Sequence, residues 1–135
     1  MTDRARTPPD VPPVAPGVRG ANMLLMFVLE MAVYVGVVWM AVSLDLPVTA
    51  RIAVAILLFL VFAGVWALLG APRAVRPVRG PARVALEVLW FGAGVTAFVL
   101  AGQQGLGAAL GILFALNLVL RLAWRQTPTL PGGGG

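Results

Sequence analysis

Four long apolar runs, separated by short polar breaks, dominate this chain of 135 residues. They span 23–44, 52–71, 84–101 and 106–124. Apolar side chains fill every face of these runs. A soluble amphipathic helix would show a single stripe, and a half-buried strand would alternate. Each run is close to the ~20 residues that a helix rising about 1.5 Å per residue needs to cross ~30 Å of hydrocarbon. Strands are excluded because the runs are too long and continuous, and because an open sheet edge cannot be satisfied in lipid. The pattern therefore predicts an all-α membrane protein. Its four transmembrane helices, over about 22–44, 52–71, 83–101 and 106–124, would form an antiparallel bundle.

The breaks carry turn and helix-stop chemistry. Asp45-Leu46-Pro47 closes the first run, and Ala71-Pro72-Arg73 closes the second. Pro77, Gly80 and Pro81 keep the connection between the second and third runs non-helical. Gly102-Gln103-Gln104-Gly105 parts the third from the fourth. Residues 1–20 are rich in proline and poor in apolar side chains, which predicts a disordered tail. Residues 21–126 form the transmembrane domain, and residues 127–135 a flexible glycine-rich tail. The first run is longer than the apolar core of a cleaved signal peptide, about 7–15 residues, and it contains a glutamate.

Composition agrees with lipid as the solvent. Hydrophobic residues make up 60% and charged residues 11% of the chain, against about 25% charged in a soluble domain. A chain this small cannot hide so much apolar surface in a core of its own. The absence of Cys and His removes thiolate chemistry, the usual neutral-pH base and the usual metal ligand. No cofactor, metal site or catalytic set is expected. All ten basic residues are Arg, which hints at GC-rich bacterial coding. The net charge of +5 reads as topology and attraction to anionic lipid headgroups, with no nucleic-acid partner. Arg4, Arg6, Arg19, the connection residues Arg73, Arg76, Arg79 and Arg83, and the late Arg121 and Arg125 fall on one side of the four runs. Only Arg51 falls on the other. The positive-inside rule then places both termini and the basic connection in the cytoplasm, as a multi-pass protein of the bacterial cytoplasmic membrane.

Charge inside the runs is the candidate chemistry. Glu30 lies roughly 12 Å into the first helix from Asn22, and Glu87 roughly 9 Å into the third from Pro81. An ionisable group at a helix centre costs about 2.5–3.5 kcal/mol on insertion scales. Each carboxylate therefore needs a partner, a proton or a task. Asn117 and Arg121, at i and i+4, share a face of the fourth helix, and Arg83 and Glu87 share a face of the third. All five fall in the cytoplasmic half. One reading is a structural Glu/Arg network; the other is a polar pocket in which Glu30 takes and releases a proton. Ala63, Ala67 and Ala71, then Ala93, Ala97 and Ala101, and then Gly107, Gly111 and Ala115 form small-residue stripes. Such stripes bring helices together within one bundle and leave a homo-oligomer open. Trp124 suits an interfacial belt, while Tyr34, Trp39, Trp66 and Trp90 suit packing or shallow anchoring. Leu29-Glu30 with Tyr34, and Leu86-Glu87 with Phe91, form a faint internal repeat.

These residues also carry a resemblance. Phe27-Val28-Leu29-Glu30, Trp39, Trp66, Ala71-Pro72-Arg73-Ala74, Gly80-Pro81-Ala82-Arg83, Leu86-Glu87 and Phe91 resemble the YrdB-like family of small bacterial membrane proteins, over roughly residues 22–124. Ala67 stands where that pattern would place Gly, a small packing change. The resemblance implies four membrane helices and supplies no established activity. Leu29-Glu30 followed by Gly36 is also similar to the first helix of small multidrug-resistance exporters. Those proteins lack the Pro/Arg connection and the Glu of the third helix. The sequence thus points to a non-enzymatic integral membrane protein, with a proton-coupled exporter or channel using Glu30 as the alternative.

Overall fold

The computed structural model describes residues 16–125, which form four helices. Helix α1 spans Pro16–Val42, and α2 spans Val48–Val65. A π-helical turn, Trp66–Gly70, directly extends α2. Helix α3 spans Pro81–Leu100, and α4 spans Gln104–Arg125. All four are long and apolar enough to cross a membrane. No strand occurs among the described residues.

Two helix starts differ from the sequence expectation. Helix α1 begins at Pro16, so residues 16–20 belong to a helix and not to a disordered tail. Proline's fixed φ suits a first helical turn, and once nucleated a helix gains a hydrogen bond for each residue added. The rest of the expected tail (1–15), the glycine-rich tail (127–135) and the side chains of Trp124 and Arg125 lie outside the described residues. Helix α2 begins at Val48, with Pro47 as its extended N-cap and Arg51 inside its first turns. The Arg51 backbone N–H closes the first turn on Pro47 O at 3.0 Å. Its guanidinium donates to Val42 O at 3.1 Å and so caps the end of α1. A cation at a helix C-terminus is favoured by the exposed carbonyls there.

The break between α3 and α4 is a Schellman turn. Gly102, at φ +75°, takes the left-handed conformation that side chains resist. Its N–H reaches Val99 O, and the Gln103 N–H reaches Phe98 O at 2.8 Å, satisfying the last carbonyls of α3. The chain then turns directly into α4.

Helix α1 packs on all three other helices, and α3 packs on both α1 and α4. Helix α2 meets α3 only through the π turn and the Phe62–Trp90 ring contact. Leu29, Val33 and Val37 form the buried stripe of α1, at four-residue spacing. They meet Phe91, Ala97 and Phe98 of α3, and Leu110 and Phe114 of α4 complete the core. The Phe91 and Phe114 rings stack with centroids 4.4 Å apart. Ala55 is the one buried residue within α2, so most of that helix faces outward. The stripes divide accordingly. Ala97 and Gly107 are buried, and Gly107 lies so close to α3 that an added Cβ would sit 3.2 Å from Val99. Ala67 of α2 is exposed. Gly107 thus serves the close packing of α4 against α3.

Candidate functional site

One end of the bundle gathers the polar side chains. The first half of α1, the end of α2, the start of α3 and the end of α4 meet there. Pro81 and Gly80 start α3 at the site's edge, which sets Arg83 in its first turn and Glu87 one turn deeper. Glu87 is fully buried, at 0% exposure. Arg83 Nε donates to Glu87 Oε1 at 2.7 Å. From α4, Arg121 Nη1 donates to the same oxygen at 3.1 Å, and Arg121 Nη2 donates to Oε2. The carboxylate thus accepts three charge-assisted hydrogen bonds, two in the forked geometry that suits guanidinium and carboxylate planes. A small cavity of about 10 Å³ beside Arg83, Glu87 and Arg121 is near the size of one water. Arg121 Nε, buried beside it, has no partner among the described residues.

Asn117 lies one turn before Arg121 on the same face of α4 and is also 0% exposed. Its Nδ2 donates to Asn22 Oδ1 at 2.7 Å, tying α4 to α1. Its own Oδ1 is buried without a partner among the described residues.

Glu30 stands apart from the pairs. It is half-buried on α1 and makes no ion pair with a described residue. Arg83 and Glu87 lie within electrostatic reach of it, and the Trp66 indole is its neighbouring side-chain donor. That contact falls outside normal hydrogen-bond geometry, because Trp66 Nε1 has no partner that meets it. Glu30 lines neither the two apolar grooves beside α2 nor the small cavity next to Arg121. The two carboxylates of the sequence repeat therefore occupy unlike surroundings. Glu87 is clamped between arginines, and Glu30 faces an indole.

Trp66 joins these groups, and the π turn places it. Turning with one extra residue, Ala71 N–H reaches back to Trp66 O at 2.7 Å. The Trp66 ring then folds over Gly70, where an added Cβ would lie 2.2 Å from ring carbon Cε3. It stacks on Trp90 with centroids 4.8 Å apart, and the Arg83 guanidinium lies 5.5 Å from its centroid. A cation over an indole face is stabilised by the ring quadrupole. Tyr34 meets Trp90 edge-on at 5.6 Å. Trp66 and Trp90 are 4% exposed, whereas Trp39 is 40% exposed, so the first two pack the site and Trp39 faces outward.

A family model described as Protein of unknown function (DUF2568) matches residues 24–115. The chain belongs to that family. The matched span holds Glu30, Trp66, Arg83 and Glu87, while Asn22, Asn117 and Arg121 lie beyond it. No curated protein and no solved structure matches the chain.

Of the residues the sequence singles out, Arg83, Glu87 and Arg121 come together directly. Asn117 joins them through its place on α4. The connection arginines Arg73, Arg76 and Arg79 are exposed and stand outside the cluster. Sequence reasoning missed Asn22 and Trp66 as members of the site. Asn22 reads as a helix boundary, and only its pairing with Asn117 across the bundle reveals a role. For Trp66 the available signal was the Trp-x-x-x-Gly spacing at the end of a helix. Among the described residues, no three acidic, His or Cys side chains converge on a point that could hold a metal ion.

Proposed function

We propose that this family member is a non-enzymatic, multi-pass protein of the bacterial cytoplasmic membrane, in line with its likeness to the YrdB-like family. Its helices run antiparallel, with both termini and the 71–80 connection on the cytoplasmic side, as the arginine asymmetry supports. Glu87, Arg83 and Arg121 form an intramembrane clasp that fixes α4 against α3 at that side. The observation that carries this reading is the full burial of Glu87 with both oxygens held by guanidinium groups. In hydrocarbon, apolar helix faces gain little by leaving lipid for each other, so a directional polar contact sets register. A carboxylate saturated by two arginines is a poor proton carrier and a good anchor.

A second reading rests on Glu30 alone. Its carboxyl group is half-buried and free of arginine pairing among the described residues, which suits a proton site in a small exporter or channel. Proton flux in proteoliposomes separates the two readings, with wild type compared against Glu30→Gln under an imposed pH gradient and a panel of cationic substrates. The clasp reading expects the same background leak from both. A substrate-dependent flux that Glu30→Gln abolishes overturns it in favour of the second.

A further inference from the structure

We propose that the open groove between α2 and α3 docks one acyl chain of an anionic glycerophospholipid, whose phosphate is received by the arginines at the end of the groove. The proposal rests on the membrane reading above and adds a specific ligand to it. The backbones of α2 and α3 do not approach each other closely, and between the two helices lies an apolar groove of about 260 Å³. Val61 and Val65 form its α2 wall, and Leu86, Leu89 and Ala93 its α3 wall. Phe62 packs against Trp90, with centroids 5.0 Å apart, where the two walls meet. The groove is open and its lining is apolar, which suits a narrow, flexible hydrocarbon chain.

Both walls end at arginines, of which Arg83 is already paired with Glu87. Arg83 lies on the α3 stripe that continues through Leu86, Trp90 and Ala93, one turn nearer the helix start. On the other wall the connection folds back over the last turns of α2. The Arg76 backbone N–H reaches Leu68 O at 2.8 Å, and the Val78 N–H reaches Leu69 O at 3.3 Å. Those bonds hold Arg76 beside the end of the α2 wall. Arg73, Arg76 and Arg79 are exposed and unpaired among the described residues. No acidic residue lies between Ala71 and Leu86. An apolar slot ending in uncompensated arginines is complementary to a lipid that carries a hydrocarbon tail and a phosphate, and bidentate recognition of phosphate favours Arg.

Native mass spectrometry of the full chain in neutral detergent tests this. The sample receives equimolar phosphatidylglycerol and phosphatidylcholine with the same acyl chains. One phosphatidylglycerol is expected to be retained in preference to phosphatidylcholine. Arg76→Gln and Arg79→Gln, both at exposed positions, should each lower that preference roughly five-fold, the effect of one basic residue near an anionic surface. Ala93→Phe fills the groove with every arginine in place, and should lower phosphatidylglycerol retention to the phosphatidylcholine level. Equal retention of the two lipids, or an Ala93→Phe variant that binds as wild type, overturns the proposal. So does release of the bound lipid by inorganic phosphate alone, which would assign the arginines to a free anion. A dimer that Ala93→Phe dissolves would give the groove to a second copy. Failure of the membrane reading looks different, since the chain would then leave the membrane fraction in an alkaline wash.

Discussion

Arg121 of α4 holds both carboxylate oxygens of Glu87 on α3. The rest of the α3–α4 contact is apolar or made by small residues, including Phe91 on Phe114 and Gly107 against Val99. Small and apolar surfaces allow close approach, but they tolerate sliding and rotation. The forked Arg–carboxylate pair does not, because its two parallel hydrogen bonds exist at one register only. Arg83 adds a third bond from within α3, so Glu87 stays paired with a cation even if α4 moves.

Breaking the pair from the buried side should therefore be costly. Glu87→Ala leaves the guanidinium groups of Arg121 and Arg83 facing each other without their shared counter-ion. Removing one partner of a buried ion pair costs about 3–5 kcal/mol. Thermal unfolding in mild detergent should show that loss for Glu87→Ala. Arg121→Gln should cost less, because Arg83 still neutralises Glu87. Equal and small effects from both substitutions would remove the clasp from the account.

Gly70 and Trp66 make a second separable unit. Gly70→Ala places a Cβ where the Trp66 ring lies, at 2.2 Å from Cε3. The ring must move, and its stacking on Trp90 and its contact with Arg83 go with it. Overpacking of this kind costs about 1–3 kcal/mol. Tryptophan fluorescence and thermal unfolding should both report it. In Trp66→Leu the ring is absent, so adding Gly70→Ala to that variant should cost much less than it does in wild type. Strict additivity of the two substitutions would show that Gly70 serves some purpose other than making room for the ring.

The helices were legible because lipid imposes a simple rule: each crossing must be long, apolar and internally hydrogen-bonded. Four runs met it, and four helices stand there. The helix starts were less legible. Pro16 and Val48 extend α1 and α2 beyond their apolar runs into sequence whose composition says little, since a polar first turn satisfies itself in water. Within the site, Arg83–Glu87 was legible because i,i+4 spacing on one helix fixes neighbours. Arg121–Glu87 joins residues far apart in the chain, and charge and depth narrowed its partners without choosing one. The unlike fates of Glu30 and Glu87 could not be read from their matching Leu-Glu contexts. They depend on which face of each helix meets α4, and that is a property of packing.

Asn117 tests how much a buried amide contributes. It donates one hydrogen bond, to Asn22, and leaves its own Oδ1 without a partner among the described residues. Interhelical hydrogen bonds in membranes average about 0.6 kcal/mol, and an unsatisfied buried acceptor costs about 1–3 kcal/mol. Asn117→Leu, close in volume, removes both terms and should leave stability unchanged or raise it by up to about 2 kcal/mol. Asn22→Ala strips Asn117 of its one acceptor and should cost more. The reverse order in thermal unfolding would mean that Asn117 Oδ1 has a bound partner of its own.

The chain contains no cysteine, so single cysteines report topology without background. The 43–47 and 71–80 connections should lie on opposite sides of the membrane. A membrane-impermeant maleimide should label Ser43→Cys in intact cells, and Arg76→Cys only after permeabilisation. Both positions are exposed, so failure to label reflects the barrier and not burial. Labelling of Arg76→Cys from outside would invert the orientation that the arginine distribution supports.

Glu30 and Glu87 give the sharpest contrast when each is changed to glutamine. The two substitutions remove the same charge at similar depth, and differ only in what surrounds it. At position 87, glutamine leaves two arginines without a counter-ion and turns one carboxylate oxygen into a donor facing a guanidinium. A loss near the buried-pair range of about 3–5 kcal/mol follows. At position 30 no ion pair with a described residue is broken. Glutamine breaks no hydrogen bond of normal geometry there, since Trp66 Nε1 has none among the described residues, and it places no charge in hydrocarbon. Glu30→Gln should therefore match wild type in thermal unfolding within about 1 kcal/mol, or exceed it. A protein that keeps a carboxylate where glutamine is at least as stable holds it there for a reason other than the fold. If Glu30→Gln instead unfolds as readily as Glu87→Gln, Glu30 belongs to the clasp, and the proton-site reading loses the observation it rests on.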